Sequence, residues 1–130
     1  MSDISVPISP GELLDKLTIL EIKSERMQDA TKLANVRLEL QLLQKTWETS
    51  PYGTAEVAGE RRQLKEINEK LWVIEDEIRD CERARKFEAR FIELARAVYV
   101  TNDERAAVKR RINDKLGSRI VEEKSYSSYK

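Results

Sequence analysis

The feature that most limits what this chain can become is a run of 57 residues, Glu60 to Leu116, that contains neither glycine nor proline. A sheet needs a turn every several residues, and turns concentrate these two residue types. The run therefore points to helix. Its apolar residues agree: Leu64, Ile67, Leu71, Ile74, Ile78 and Cys81 alternate steps of three and four, the stripe of an amphipathic helix. Ala84, Phe87, Phe91, Leu94 and Val98 continue it, but only after three successive steps of three between Ile78 and Phe87. A slip of that kind overwinds a coiled coil and predicts a bend or a change of packing partner near residues 81–88. The spacing predicts one long, coiled-coil-like third helix over about residues 55–99.

Shorter helices flank it. Ser9-Pro10-Gly11-Glu12 combines a capping serine, a proline suited to the first helical position and a glutamate that can reach back to the cap. It opens a first helix over about residues 10–28, with Leu13, Leu17 and Leu20 on one face and Leu14, Ile19 and Ile22 widening the stripe toward a further neighbour. After a short break at Asp29 to Thr31, Leu33, Val36, Leu40, Leu43 and Trp47 mark a second helix over about residues 31–48, antiparallel to the first. Thr49-Ser50-Pro51-Tyr52-Gly53-Thr54 is a loop expected to stop the second helix and cap the third. Thr101-Asn102-Asp103-Glu104 is expected to cap a fourth helix over about residues 102–116, stopped by Gly117. The tail, 118–130, carries Ile120, Val121, Tyr126 and Tyr129, which favours docking over disorder. The expected fold class is all-α: a single domain over residues 1–130, an antiparallel bundle of about four helices.

Charge narrows the partners. Charged residues make up 37% and apolar residues 40%, against about 25% and 45–50% in ordinary domains, which suits elongated helices. The 24 basic and 24 acidic residues cancel, whereas a nucleic-acid binder shows a basic excess. Lys109-Arg110-Arg111 and Lys115 make the fourth helix basic, yet three consecutive bases spread around the helix rather than form one face. No nucleic-acid partner is expected. With one cysteine no internal disulfide is possible. The N-terminus lacks a signal-peptide pattern, and no apolar stretch approaches the ~20 residues of a membrane helix. No membrane partner and a cytoplasmic location are expected.

Helix lengths suggest self-association. A third helix of about 40–45 residues would span ~60–68 Å, and the first two only ~28 Å each. A seam including Phe87, Phe91 and Leu94 would then stay wet, and exposed apolar stripes mark interfaces. A two-fold homodimer with the long helices in contact is expected.

Several segments carry a resemblance: Ile8 through Lys23, Lys32 through Val36, Leu71-Trp72 with Ile74 through Arg79, Phe91 through Arg96 on to Asn102-Asp103, and Glu122 through Tyr126. Together they resemble an uncharacterised bacterial family of small all-helical proteins known only as a domain of unknown function. The resemblance implies a bacterial source and a setting near surface-polysaccharide or glycosyltransferase genes. It implies no activity, so no catalytic residue is carried over.

The residues offer little catalytic chemistry. Without histidine the usual general base, the common zinc ligand and the Ser-His and Cys-His nucleophile pairs are missing. Cys81 sits on the apolar stripe, where it packs as a small hydrophobe. Glu66 with Glu69 and Glu77 with Asp80 resemble the magnesium-binding pairs of all-α nucleotide pyrophosphohydrolases. However, eleven residues place the two pairs about 16 Å apart along one helix, too far to share an ion. No metal and no cofactor are expected.

One cluster could bind an anion. Arg96, Tyr99, Asn102, Arg105 and Lys109 gather where the third helix is expected to turn into the fourth, and a helix start presents free N–H groups. Lys124 and Tyr126 of the tail could close over it. The plain account is that these residues cap, pair and pack as helix ends always do. The leading functional reading is a non-enzymatic dimeric interaction or accessory protein with a protein partner. The alternative is a small-molecule binding protein or enzyme whose site takes a phosphate or nucleotide-sugar anion.

Overall fold

The computed structural model describes residues 2–130. It contains four helices, α1 (Pro10–Arg26), α2 (Ala30–Thr49), α3 (Ala58–Ala84) and α4 (Ala89–Leu116). There is no strand among the described residues, so the all-α class expected from the sequence is the one adopted.

The long third helix over 55–99 is not formed. The chain reverses at residues 85–88 and returns as α4, antiparallel to α3. Arg85 adopts a left-handed conformation (φ 57°, ψ 37°). The Lys86 N–H donates to the Cys81 carbonyl at 2.9 Å and the Arg85 N–H to that of Glu82 at 3.1 Å, which is a Schellman stop made without glycine. Gly117 ends α4 with the same pair of bonds. The physical reason for the reversal is burial. A continuous helix would leave its apolar stripe wet, whereas the hairpin folds the stripe on itself and encloses Ile74 and Leu94. That gain exceeds the roughly 1–2 kcal/mol cost of one left-handed non-glycine residue. The expected cap at Thr101-Asn102 is likewise absent: Thr101 lies inside α4 and is 1% exposed. Nor does Thr54 cap α3, which begins after Val57 with no side-chain cap.

α1 is the hub, packing against α2, α3 and α4. Its Leu13, Leu14 and Leu17 form one core with Trp47 of α2, Leu64 of α3, Val108 and Ile112 of α4, and Val57 of the preceding loop. The Ser9 hydroxyl accepts the Glu12 N–H at 3.2 Å, and Asp29 caps α2 by accepting the Lys32 N–H at 2.9 Å.

Polar groups fix how α1 seats. Gly11 abuts α4 so closely that a Cβ there would lie 2.6 Å from the Lys109 carbonyl oxygen and 2.9 Å from Asn113 Oδ1. The Gly11 N–H donates to that Oδ1 at 2.8 Å. Any larger residue would push α1 off α4, an overpacking cost of about 1–3 kcal/mol. On the α3 side, Asn68 Nδ2 donates to Asp15 Oδ1 at 2.8 Å and to Thr18 Oγ1 at 3.0 Å, and the Thr18 hydroxyl donates to the Asp15 carbonyl. All three residues are buried. Sliding α1 along α3 would strand these groups, so they set its register.

With 17 residues against 27 and 28, α1 is shorter than the hairpin by about 15 Å. The turn end of the hairpin therefore projects, and no residue from Glu75 to Glu93 is buried. Of the expected dimer seam, Leu94 is 3% exposed within the chain and so is not on an outer surface. Phe91 is half-buried and meets the exposed Phe87 edge-on at 5.2 Å.

Candidate functional site

A cleft of about 530 Å³ opens where α1, α3 and α4 diverge. One face of each helix lines it. α1 contributes Ile19, Ile22 and Lys23 at steps of three and one. α3 contributes Asn68, Leu71, Trp72, Glu75, Asp76 and Arg79, a helical face that overlaps the apolar stripe at Leu71. α4 contributes Asn102 and Arg105. The floor is apolar and aromatic, and the rim is charged. Glu75 is held by Arg79.

A second cleft of about 490 Å³ shares Asn102 and Arg105 with the first. Its remaining walls are Tyr99 and Asp103 of α4 with Glu122, Lys124 and Tyr126 of the tail. The tail packs along α4. The Tyr129 hydroxyl donates to Asp103 at 2.6 Å, the Tyr129 and Tyr99 rings meet edge-on at 5.1 Å, and Glu122 pairs with Lys109 at 2.7 Å.

Five of the seven residues singled out from sequence thus surround one space: Tyr99, Asn102, Arg105, Lys124 and Tyr126. They meet for a reason other than the one expected. Residues 99–105 are mid-helix, so their N–H groups are committed to the helix and no free helix start is present there. Steps of three along α4, and a tail running back over it, bring them together. Arg96 is elsewhere, in a surface depression with Ala89, Ile92 and Glu93.

Lys109 is near but committed. It is 5% exposed and its Nζ lies 2.7 Å from both Glu12 and Glu122, which ties α1, α4 and the tail at one point. Arg105 is different: it is half-buried, and among the described residues no carboxylate lies within 4 Å of it. Sequence reasoning missed the α3 wall. The available signal was Trp72, an aromatic residue adjacent to the apolar stripe but not on it, followed by polar residues at helical steps.

The carboxylates of the two ExxE-like pairs are largely spoken for, Glu69 by Arg26, Glu77 by Arg90 and Asp80 by Arg83. Among the described residues no three Cys, Asp or Glu side chains converge as a metal site.

The Lys109 junction sets a pH dependence. Burial by itself would push the Lys109 pKa down, but hydrogen bonds to Glu12 and Glu122 outweigh it, and the pKa lies above 10.5. Burial by itself would push Glu12 up, but the Lys109 hydrogen bond and charge, helped by Lys16 and Arg105, hold it below 4.5. The raised lysine stabilises the fold fully below its unfolded pKa, and that contribution is lost as pH rises through the folded value. The lowered glutamate stabilises above its unfolded pKa, and that is lost as pH falls through its folded value. Lys109→Met should cost about 1–3 kcal/mol at neutral pH, because it leaves two facing carboxylates without their cation. Urea denaturation should find this difference flat between about pH 6 and 9 and shrinking at both extremes. A difference independent of pH down to about pH 3 would contradict the assignment.

No helix among the described residues is long and apolar enough to cross a membrane. No curated protein and no solved structure matches the chain. The profile of a family of unknown function, DUF6165, matches residues 4–129, and four of the five segments that carried the resemblance supply walls of the two clefts. The chain belongs to that family, DUF6165.

Proposed function

We propose that this protein is a cytoplasmic, non-enzymatic binding protein for a small phosphate-bearing ligand, a class that includes the nucleotide sugars of surface-polysaccharide metabolism. The observation that carries the reading is Arg105. It is a half-buried residue at the junction of two clefts, with no carboxylate within ion-pair distance of its guanidinium among the described residues. Its guanidinium nitrogens reach solvent and no hydrogen bond among the described residues engages them, and a guanidinium suits two phosphate oxygens at once. Asn102 beside it adds an amide donor, and Lys124 a second cation from the tail.

Pyrophosphate at millimolar concentration should raise the melting temperature of the full chain by a few degrees, as expected for a ligand in excess of its Kd. Arg105→Ala should remove the effect, and Arg96→Ala should keep it. No shift in the wild-type chain, or an equal shift in Arg105→Ala, would sink the reading.

A second reading concerns the projecting end of the hairpin, where Phe87 is 46% and Ile92 55% exposed. Two helices alone cannot cover both sides of their seam, and a second copy would complete it with two more. The reading is a homodimer joined at the α3–α4 turn, on a surface separate from the clefts, which leaves room for a protein partner. Light scattering should give twice the chain mass at micromolar concentration, falling to one for Phe87→Asp with Ile92→Asp. A wild-type chain that scatters as a monomer would end it.

A further inference from the structure

We propose that the site is bipartite and takes a nucleoside diphosphate, its base against Trp72 in the α1–α3–α4 cleft and its diphosphate between Arg105 and Lys124 beneath the tail. This rests on the anion-binding reading of Arg105 and adds the shape and class of the ligand. Two observations carry it.

The clefts adjoin at two shared residues and are chemically unlike. They share Asn102 and Arg105, and at about 530 and 490 Å³ each falls in the size range of a small-ligand pocket. The first has an aromatic and aliphatic floor, with Trp72, Leu71 and Ile19, and Asn102 and Asp76 stand at its rim. A flat heteroaromatic ring can stack on that floor and hydrogen-bond to the rim. An alkyl chain would instead cover those polar groups without satisfying them.

In the second cleft one acid is ion-paired and the other is hydrogen-bonded by a neutral phenol, while among the described residues the cations have no ion-pair partner. Asp103 accepts the Tyr129 hydroxyl and Glu122 is paired with Lys109. Lys124 lies 6.0 Å from the Tyr126 ring centroid, and among the described residues neither it nor Arg105 has a carboxylate partner. Two unpaired cations, one from α4 and one from the tail, flank a space suited to an anion of two charges or more. The tail is thus a wall of the site.

Calorimetry on the full chain at fixed ionic strength would compare ADP, UDP, uridine, pyrophosphate and geranyl diphosphate. The nucleoside diphosphates should bind at least about fivefold tighter than pyrophosphate, the lower end of what stacking on an aromatic side chain contributes. Trp72→Leu should reduce them to the pyrophosphate level with pyrophosphate binding unchanged, Trp72→Phe should keep most of the gain, and Lys124→Ala should weaken every diphosphate. Far-UV circular dichroism checks that each variant folds. Nucleoside diphosphates no tighter than pyrophosphate, or geranyl diphosphate tighter than both, would overturn the bipartite site and leave the anion reading standing. If neither pyrophosphate nor a nucleoside diphosphate bound, both would fall.

Discussion

The contact on which the rest of the molecule depends is the crossing of α1 over α4 at Gly11. There the two backbones approach so closely that no side chain fits between them, and the first-turn N–H of Gly11 is answered by Asn113 from 102 residues away. That crossing places Leu13, Leu14 and Leu17 over Val108 and Ile112. One turn further on, Asp15 and Thr18 meet Asn68, and α3 is held against α1 by the same seating. Hydrophobic burial supplies most of the drive for such a bundle, but it is indifferent to register. The buried polar pairs are what select one register out of several.

The clefts follow from that geometry. Helices that meet tightly at one end and differ in length must separate toward the other. α1 runs out beside the middle of the α3–α4 hairpin, so the faces of all three helices splay around Trp72 and Arg105. Lys109 links this arrangement to the tail, since one ammonium group serves Glu12 of α1 and Glu122 of the returning chain. The tail then lies back along α4 to Tyr129 and completes the second cleft. Stability and site are therefore joined at Lys109, and the unpaired cation, Arg105, stands one helical turn away.

Much of the helical content was legible because apolar periodicity and capping chemistry are local. Ser9, Asp29 and Gly117 act within a turn of where they sit, and residue type alone indicates what they do. The reversal at Arg85 was not legible as a turn. No glycine or proline marks it, and the only trace was the phase slip between Ile78 and Phe87. Whether a slip becomes a bend or a full reversal depends on burial of Leu94 against α3, which is a tertiary matter. The same holds for the site. Tyr99, Asn102 and Arg105 share a helical face and were readable as a group, although the reasoning placed them at a helix start that does not exist. Arg96, nine residues before Arg105, falls half a turn away from it at 100° per residue. Trp72, Asn68 and Lys23 reach the cleft from other helices, and no local pattern ties them to Arg105.

Amide hydrogen exchange at Gly11 tests the central contact most directly. First-turn N–H groups have no partner inside their own helix and ordinarily exchange within minutes. If the Gly11–Asn113 crossing organises the bundle, the Gly11 amide should open only with global unfolding and rank with the slowest in the chain, beside those of Leu17 and Ile112. Exchange as fast as that of an exposed first-turn amide such as Thr31 would contradict the account.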